Sequence, residues 1–173
     1  MKTYLEDNLN VKVLSVDSLE VMQIGAWDNE REMKYRDAIT LEGLVTQAGP
    51  NLMLNTGALS GYHIELKKEE LNRKFPVHIS FPCSFDHTIT IDIPQGYEAK
   101  GVEKLNHSVT NKTGGFVSKA TVSGNKLTIN TSKYYTDYVV ATADWPLMVD
   151  FMEAAYDFSQ QKVLLQKSKL SSK

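Results

Sequence analysis

The sequence predicts a mainly β fold: an antiparallel β-sandwich with one C-terminal α-helix packed on or beside a sheet. Three observations predict this fold class. Strand-like alternation runs through residues 75–97, a hairpin pattern spans residues 116–129, and an apolar stripe at helical spacing spans residues 145–159. Each pattern places its apolar side chains on one face, so each element has a dry side that must pack against another element.

Residues 75–97 are the stretch around which the other elements are arranged. Period-two alternation puts the apolar side chains of each strand on one face of the sheet. The sequence Ile93-Pro94-Gln95-Gly96 predicts a turn, because proline fixes φ at its second position and glycine suits its fourth. We expect two short antiparallel strands here, whose apolar residues are Val77, Ile79 and Phe81 in the first and Ile89, Ile91 and Ile93 in the second.

The first half of the chain predicts further short strands separated by turn residues. Asp17-Ser18 is expected to be a tight turn. Within 31–47 we expect two strands with a bulge, because Ala38, Gly43 and Leu44 interrupt the alternation of apolar residues. The expected elements are strands at 10–16 and 19–24, a loop at 25–30, two strands within 31–47, a short strand at 52–54, a weak strand at 59–66 and a charged linker at 67–74.

The hairpin prediction rests on Ser123-Gly124-Asn125-Lys126, whose central pair tolerates positive φ. Closing a two-residue loop there sets Val122 opposite Leu127 and Ala120 opposite Ile129. All four are apolar and would share one face, so the turn and the apolar pattern agree on register. Before the hairpin, residues 101–102 and 107–109 predict short strands.

The C-terminal helix is expected over residues 145–159. Asp144 can cap it, and Pro146 suits a first turn in which an N–H would have no partner. Its apolar stripe, spaced by four, three and four residues, consists of Leu147, Phe151, Ala154 and Phe158. Residues 162–165 then predict a last strand. We expect one β-sandwich-like domain over 1–173, with strands from 1–70 and 75–168 and a flexible tail at 168–173.

Composition limits the possible functions. Lys and Arg number 19 and Asp and Glu 21, for a formal net charge of −2, so the basic surface expected of a nucleic-acid binder is missing. A single cysteine cannot form an internal disulfide, and no apolar run reaches the length of a transmembrane helix. The first residues lack the apolar region of a signal peptide, which fits either a cytoplasmic protein or a domain cut from a longer secreted chain.

Reactive residue types do not assemble into a recognisable motif. Cys83 with Asp86 and His87 suggests a thiol enzyme, but a nucleophilic cysteine needs a helix N-terminus or a paired imidazolium. We expect Cys83 to be an ordinary thiol in a loop. The remaining histidines are His63, His78 and His107, and their spacing is not that of metal ligands. The sequence therefore predicts no metal, no cofactor and no catalytic residue.

Aromatic residues offer the one candidate binding site in the sequence. Exposed aromatic faces on a β-sandwich could stack on sugars or a peptide, whereas aromatics beside a helix end also pack that end onto a sheet. Both interpretations remain open. The candidate ligand-binding residues are Trp27, Tyr134, Tyr135, Tyr138 and Trp145.

Several stretches in fixed order resemble a known family. They are LMLNTGALSG (52–61), RKFPVHISFP (73–82), ITIDIPQGY (89–97), GGF (114–116), GNKLTI (124–129), DWPLMVDFMEAAYDF (144–158) and KVLLQK (162–167). Together they resemble the C-terminal β-rich domain of unknown function that follows the core of bacterial transglutaminase-like envelope proteins. The resemblance covers about residues 51–167, and its motifs are turn and core positions.

The resemblance implies a context for the chain. The catalytic residues of such proteins belong to the preceding core, and no segment here matches that core, so no catalytic residue carries over. The chain would be a non-catalytic accessory domain of a periplasmic or extracellular protein, and its partner would be the adjacent transglutaminase-like core. The alternative function is a carbohydrate- or peptide-binding β-sandwich module that uses the aromatic residues.

Overall fold

The computed structural model describes residues 2–9, 11–24, 32–61 and 63–168. The predicted loop at 25–30 and all but the first residue of the predicted tail lie outside these ranges. In chain order the helices and strands are α1 (Lys2–Leu9), β1 (Lys12–Ile24), β2 (Met33–Glu42), β3 (Val45–Ala48), β4 (Asn51–Leu54), β5 (Val77–His78), β6 (Cys83–Asp92), β7 (Tyr97–Lys100), β8 (His107–Asn111), β9 (Gly114–Ser123), β10 (Lys126–Tyr135), β11 (Val139–Val140), α2 (Trp145–Ser159) and β12 (Val163–Lys167). Short 3-10 helices span Gly57–Ser60, Lys68–Glu70, Val102–Leu105 and Thr142–Asp144.

The fold is mainly β, with antiparallel sheets, as the sequence predicts. One four-stranded sheet has the order β6-β10-β9-β8, and a second has the order β3-β4-β12-β7. Two-stranded ribbons are formed by β1 with β2 and by β5 with β11. Because β12 pairs with both β4 and β7, strands from the two halves of the chain meet in the second sheet.

The hairpin of β9 and β10 has the predicted register. Val122 pairs with Leu127, and Ala120 pairs with Ile129. Gly124 in the turn has φ of 59°, in the left-handed region that glycine adopts without steric cost. Turn chemistry and apolar alternation therefore select the same pairing.

Helix α2 has the predicted bounds but not the predicted cap. The Asp144 side chain makes no capping hydrogen bond, because its backbone (φ −97°, ψ −3°) continues the 3-10 turn of Thr142–Asp144 and is not extended. Its carboxylate instead pairs with Lys112, with Nζ 2.7 Å from Oδ1. Pro146 occupies the first turn as expected.

The core surrounds α2. Phe151, Ala155 and Phe158 are completely buried. Their cluster includes residues of the first sheet and of the second, the most buried of which are Phe116, Leu127, Ile129 and Val163. Fully burying a phenylalanine or leucine side chain contributes roughly 1.5–3 kcal/mol, so α2 holds the two four-stranded sheets around a common apolar interior.

Two predictions around residues 59–81 are wrong. Strand β5 is limited to two residues and pairs with β11, not with β6, because Pro76 and Pro82 flank a segment too short to form a longer ladder. None of the described residues within 59–66 lies in a strand. The chain turns instead through a 3-10 helix, and Gly57 lies so close to the end of α2 that a Cβ there would meet the backbone of Ser159.

The predicted turn at Asp17-Ser18 is also wrong, because β1 continues through it as one strand. The pairing of β1 with β2 skips a residue at three places, leaving Leu14, Asp17 and Met22 unpaired as bulges. The Asp17 carboxylate accepts hydrogen bonds from Ser15 (2.6 Å) and from Thr40 on β2 (2.9 Å). A residue typical of turns therefore stabilises a bulge inside a strand. The segment Lys2–Leu9, to which the sequence assigned no element, forms α1.

The central role of α2 predicts a large effect of truncating its last aromatic residue. Phe158→Ala should lower the free energy of unfolding by about 3–5 kcal/mol, because it leaves a cavity at a completely buried site. Urea denaturation followed by circular dichroism measures this. The control is Tyr138→Ala, a truncation of similar size at a side chain that is 61% exposed, which should change stability by about 0.5 kcal/mol or less. Equal losses for the two variants would contradict this account of the core.

Candidate functional site

A pocket of about 560 Å³ opens where β6 and β10 continue past the core. Ser60, Gly61, His63 and Ile64 form one wall, and residues between 79 and 87 form another. The side chains that bring chemistry to it are Ser60, His63, Cys83, His87, Lys133 and Tyr135.

Alternation along β10 explains how polar groups reach this place. Residues 127, 129, 131, 133 and 135 share one face of the strand, because successive side chains point to opposite sides. Leu127 and Ile129 are completely buried in the core, whereas Lys133 and Tyr135 line the pocket. The facing positions on β6 are Ile91, Ile89, His87, Phe85 and Cys83. The pocket is thus the polar continuation of the inner face of the first sheet.

His63 is neutral in this pocket. Its side chain is 8% exposed, and its Nε2 lies 3.1 Å from Ser60 Oγ. The Ser60 hydroxyl donates its own hydrogen to the Gly57 carbonyl at 2.8 Å, so Ser60 Oγ acts as the acceptor toward His63. His63 therefore carries its hydrogen on Nε2 and donates it in a hydrogen bond to Ser60 Oγ. His63 Nδ1 is then an acceptor, with no partner among the described residues. Burial, and then the charges of Lys133 and His87, lower the pKa of His63 to about 4.

Lys133 is a buried cation. Its side chain is 8% exposed, and burial lowers the pKa of the ammonium below its ordinary value. It forms no ion pair within the described ranges of the chain. Its Nζ lies 5.5 Å from the ring centre of Tyr135, close enough for a cation–π contact. Burial raises the pKa of Tyr135 to about 12, so its phenol keeps its proton and can donate a hydrogen bond.

The prediction that Cys83 lies in a loop is wrong. Cys83 is the first residue of β6 and pairs with Tyr135 of β10. Its half-buried thiol makes no hydrogen bond to an imidazole in the part of the chain that the structure describes. His87 Nδ1 lies 3.4 Å from Thr131 Oγ1. Asp86 lies on the opposite face of β6, where it accepts a hydrogen bond from Ser84. Cys83, Asp86 and His87 therefore do not form a linked set.

The structure separates the predicted aromatic residues instead of gathering them into one site. Trp145 is 4% exposed and donates its indole N–H to the Glu70 carbonyl at 3.1 Å, so it has no free face for a ligand and that expectation is wrong. Tyr134 covers Gly115 on the other face of β10, and Tyr138 is exposed. Tyr135 alone of the described four lines the pocket. Trp27 lies outside the described residues.

The sequence analysis missed Lys133 and Ser60 and placed His63 on a strand. One signal could have identified Lys133: counting by twos from Leu127 assigns it to the apolar face, where a lysine is unexpected. No local pattern marks Ser60 or His63, because Ser60 ends a 3-10 helix and His63 lies beyond it in neither a helix nor a strand. Among the residues that the structure describes, no group of three or more His, Cys, Asp and Glu side chains could hold a metal ion.

The buried neutral state of His63 predicts a loss of stability in acid. Its folded pKa lies below its unfolded value, so the unfolded chain binds the proton more tightly and stability falls as the pH drops from about 6.5 toward 4. The contribution of His63 to this loss between pH 7 and pH 5 should be about 1–2 kcal/mol. Urea denaturation at the two pH values measures it.

His63→Gln keeps a hydrogen-bonding group near Ser60 but cannot titrate, so it should lose less stability between these pH values than the wild type does. His78→Gln is the matched control, because His78 is exposed on β5. It should retain the wild-type pH dependence. An unchanged pH dependence in His63→Gln would show that His63 is not the group responsible.

Comparison with known proteins identifies the family. Within the described ranges, no helix combines the length and the apolar character needed to cross a membrane. No curated protein and no solved structure matches the chain. Residues 50–165 match the family model of DUF3858, a domain of unknown function. The matched segment contains β4 to β11, α2 and most of β12, including every named pocket residue. The chain therefore belongs to the DUF3858 family.

Proposed function

We propose that this chain is a non-catalytic accessory domain of a transglutaminase-like cell-envelope protein, periplasmic or extracellular, and that it supports or presents the adjacent core. The sequence motifs that resemble the last domain of such proteins support this proposal, and the DUF3858 match covers nearly the same stretch of the chain. The observation that carries it furthest is the ribbon of β1 and β2, which has an apolar face that is largely uncovered toward one end.

The bulges of β1 create this face. In the pairing of β1 with β2, Val13 faces Leu41, Val16 faces Ile39 and Val21 faces Tyr35, and on this same side Leu19 faces the acidic Asp37. Directly paired residues lie on the same side of an antiparallel ladder. The apolar residues of β1 recur mostly every third position, which would scatter them over both sides of a regular strand. Each bulge shifts the phase by one residue, and so returns the next apolar residue to the same side.

The opposite side of the ribbon is mostly polar. Lys12 pairs with Glu42, Ser15 with Thr40, and Glu20 with Arg36. The Lys12 ammonium lies 2.6 Å from the Glu42 carboxylate, and both side chains are well exposed. The ribbon therefore has one side suited to water and one suited to contact with another apolar surface.

Burial of the apolar side decreases along the ribbon. Val13, at the base, is completely buried, whereas Leu19, Val21, Met33 and Tyr35 are 44–66% exposed. The uncovered part lies before residue 50, outside the segment shared with the family. We assign this surface to contact with the transglutaminase-like core of the same protein. Covering the exposed part of these side chains would contribute roughly 1 kcal/mol each, enough to hold two domains of one chain together.

Methionine oxidation in the full-length protein tests this contact. Met33 is 66% exposed in this domain, so hydrogen peroxide should oxidise it rapidly unless the adjacent transglutaminase-like domain covers it. The double variant Val21→Glu/Tyr35→Glu places two paired carboxylates on the apolar side and should separate the domains. We expect Met33 to oxidise about 10-fold faster in this variant than in the wild type, as measured by mass spectrometry.

The matched control is Glu20→Gln/Arg36→Gln, a pair at neighbouring positions on the polar side of the same ribbon. It should leave the oxidation rate of Met33 unchanged. If Met33 in the wild-type full-length protein oxidised as fast as in the apolar-side variant, the ribbon would be uncovered and the proposed contact would be wrong.

A further inference from the structure

We propose that the pocket between β6, β10 and the wall formed by Ser60, Gly61, His63 and Ile64 binds a small organic anion that joins a carboxylate to an apolar body, with Lys133 as the group that recognises the charge. This site is separate from the ribbon of β1 and β2, and the proposal does not depend on the accessory role of the domain.

The first argument is the uncompensated charge of Lys133. Burying an ammonium group is costly unless an opposite charge accompanies it. Lys133 sits on the inner face of β10, is 8% exposed, and has its ammonium 5.5 Å from the centre of the Tyr135 ring. A ring face provides a weaker interaction than a carboxylate does. The site therefore has a cation in place, with room for an anion.

The second argument is the composition of the walls. None of the described residues that line the pocket is an aspartate or a glutamate. The charged or titratable groups around Lys133 are His63, His87, Cys83 and Tyr135. His63 is neutral, and the phenol of Tyr135 keeps its proton. An incoming carboxylate would meet one cation and hydrogen-bond donors, with no fixed negative charge to repel it.

The third argument is the apolar rim. Ile64, Phe81 and Phe85 line the pocket and remain 46%, 66% and 53% exposed. Large apolar side chains around a concave site with one charged group are typical of small-molecule pockets, in which apolar walls give affinity and the polar group fixes orientation. The volume of about 560 Å³ lies within the range of such pockets. A ligand with an aromatic or aliphatic body and one carboxylate fits this arrangement.

The test compares two probes of the same shape and different charge. The 173-residue chain, labelled with ¹⁵N, is titrated with 3-phenylpropionate and separately with 3-phenylpropionamide, and amide shifts are followed by NMR. We expect saturable shifts for residues 60–64 and 83–87 with the carboxylate. Binding of the neutral amide should be at least 10-fold weaker, because it lacks the charge that Lys133 would pair with.

Lys133→Met keeps the length and the apolar stem of the side chain and removes its charge. It should weaken binding of 3-phenylpropionate at least 10-fold and leave binding of the amide unchanged. The matched control is Lys126→Met, on the same strand, whose exposed side chain pairs with Asp92 at the surface. It removes the same charge from the protein and should leave binding of both probes at the wild-type level.

Equal binding of the two probes to the wild-type chain would overturn the proposal, and so would the absence of saturable shifts at millimolar concentrations. A Lys133→Met variant that binds the carboxylate like the wild type would also overturn it. The comparison of the two probes on the wild-type chain decides the matter even if Lys133→Met does not fold.

Discussion

Contact between the aromatic side chains of α2 and the inner face of the first sheet is the constraint on which the rest of the structure depends. The rings of Phe116 and Phe158 lie 5.5 Å apart, and that of Phe151 lies 5.4 Å from Tyr135. A Cβ on Gly114 would meet the Tyr134 carbonyl of the paired strand and would lie 3.0 Å from the Phe151 ring, so this ring of α2 approaches the backbone of β9 closely. Glycine at this position lets the aromatic ring pack against the strand itself.

The position of α2 also determines where the pocket can form. Phe151 of α2 packs against Tyr135, a pocket residue, whereas Leu127 and Ile129 are completely buried at the other end of the same face of β10. Farther along β10 the same face carries Lys133 and Tyr135, and the segment around Ser60 and His63 forms the facing wall. One period-two pattern therefore serves two purposes on a single strand. Its first part packs in the core, and its second part brings polar groups into a partly enclosed space.

Local patterns were sufficient to predict the elements that local chemistry specifies. The β9–β10 hairpin and its register followed from Gly124-Asn125 and from the alternation around it. Helix α2 followed from Pro146 and a stripe at helical spacing. Pairing between distant segments was not predictable in this way. Strand β5 pairs with β11, which lies about 60 residues later in the chain. Each of these strands has only two residues, too few for an alternation of apolar and polar residues that could indicate its partner.

The candidate site was the least predictable part for the same reason. Its reactive residues come from a 3-10 helix, the irregular position of His63 and two strands, so no spacing in the sequence joins them. The aromatic residues chosen from sequence were neighbours along the chain, but alternation sends Tyr134 and Tyr135 to opposite faces of β10, and the start of α2 buries Trp145. The sequence did not predict that β1 is continuous, because aspartate is a residue type common in turns. Only the hydrogen bond from Thr40 across the ribbon shows that Asp17 stabilises a bulge.

The bulges of β1 have a further consequence, for self-association. A two-stranded ribbon presents unpaired backbone donors and acceptors along its edges, and a flat, regular edge invites another copy to add a strand. Bulges at Leu14, Asp17 and Met22 interrupt the regular spacing of those groups and increase the local twist. The edge of β1 is therefore a poor template for the addition of a strand from another copy of the chain.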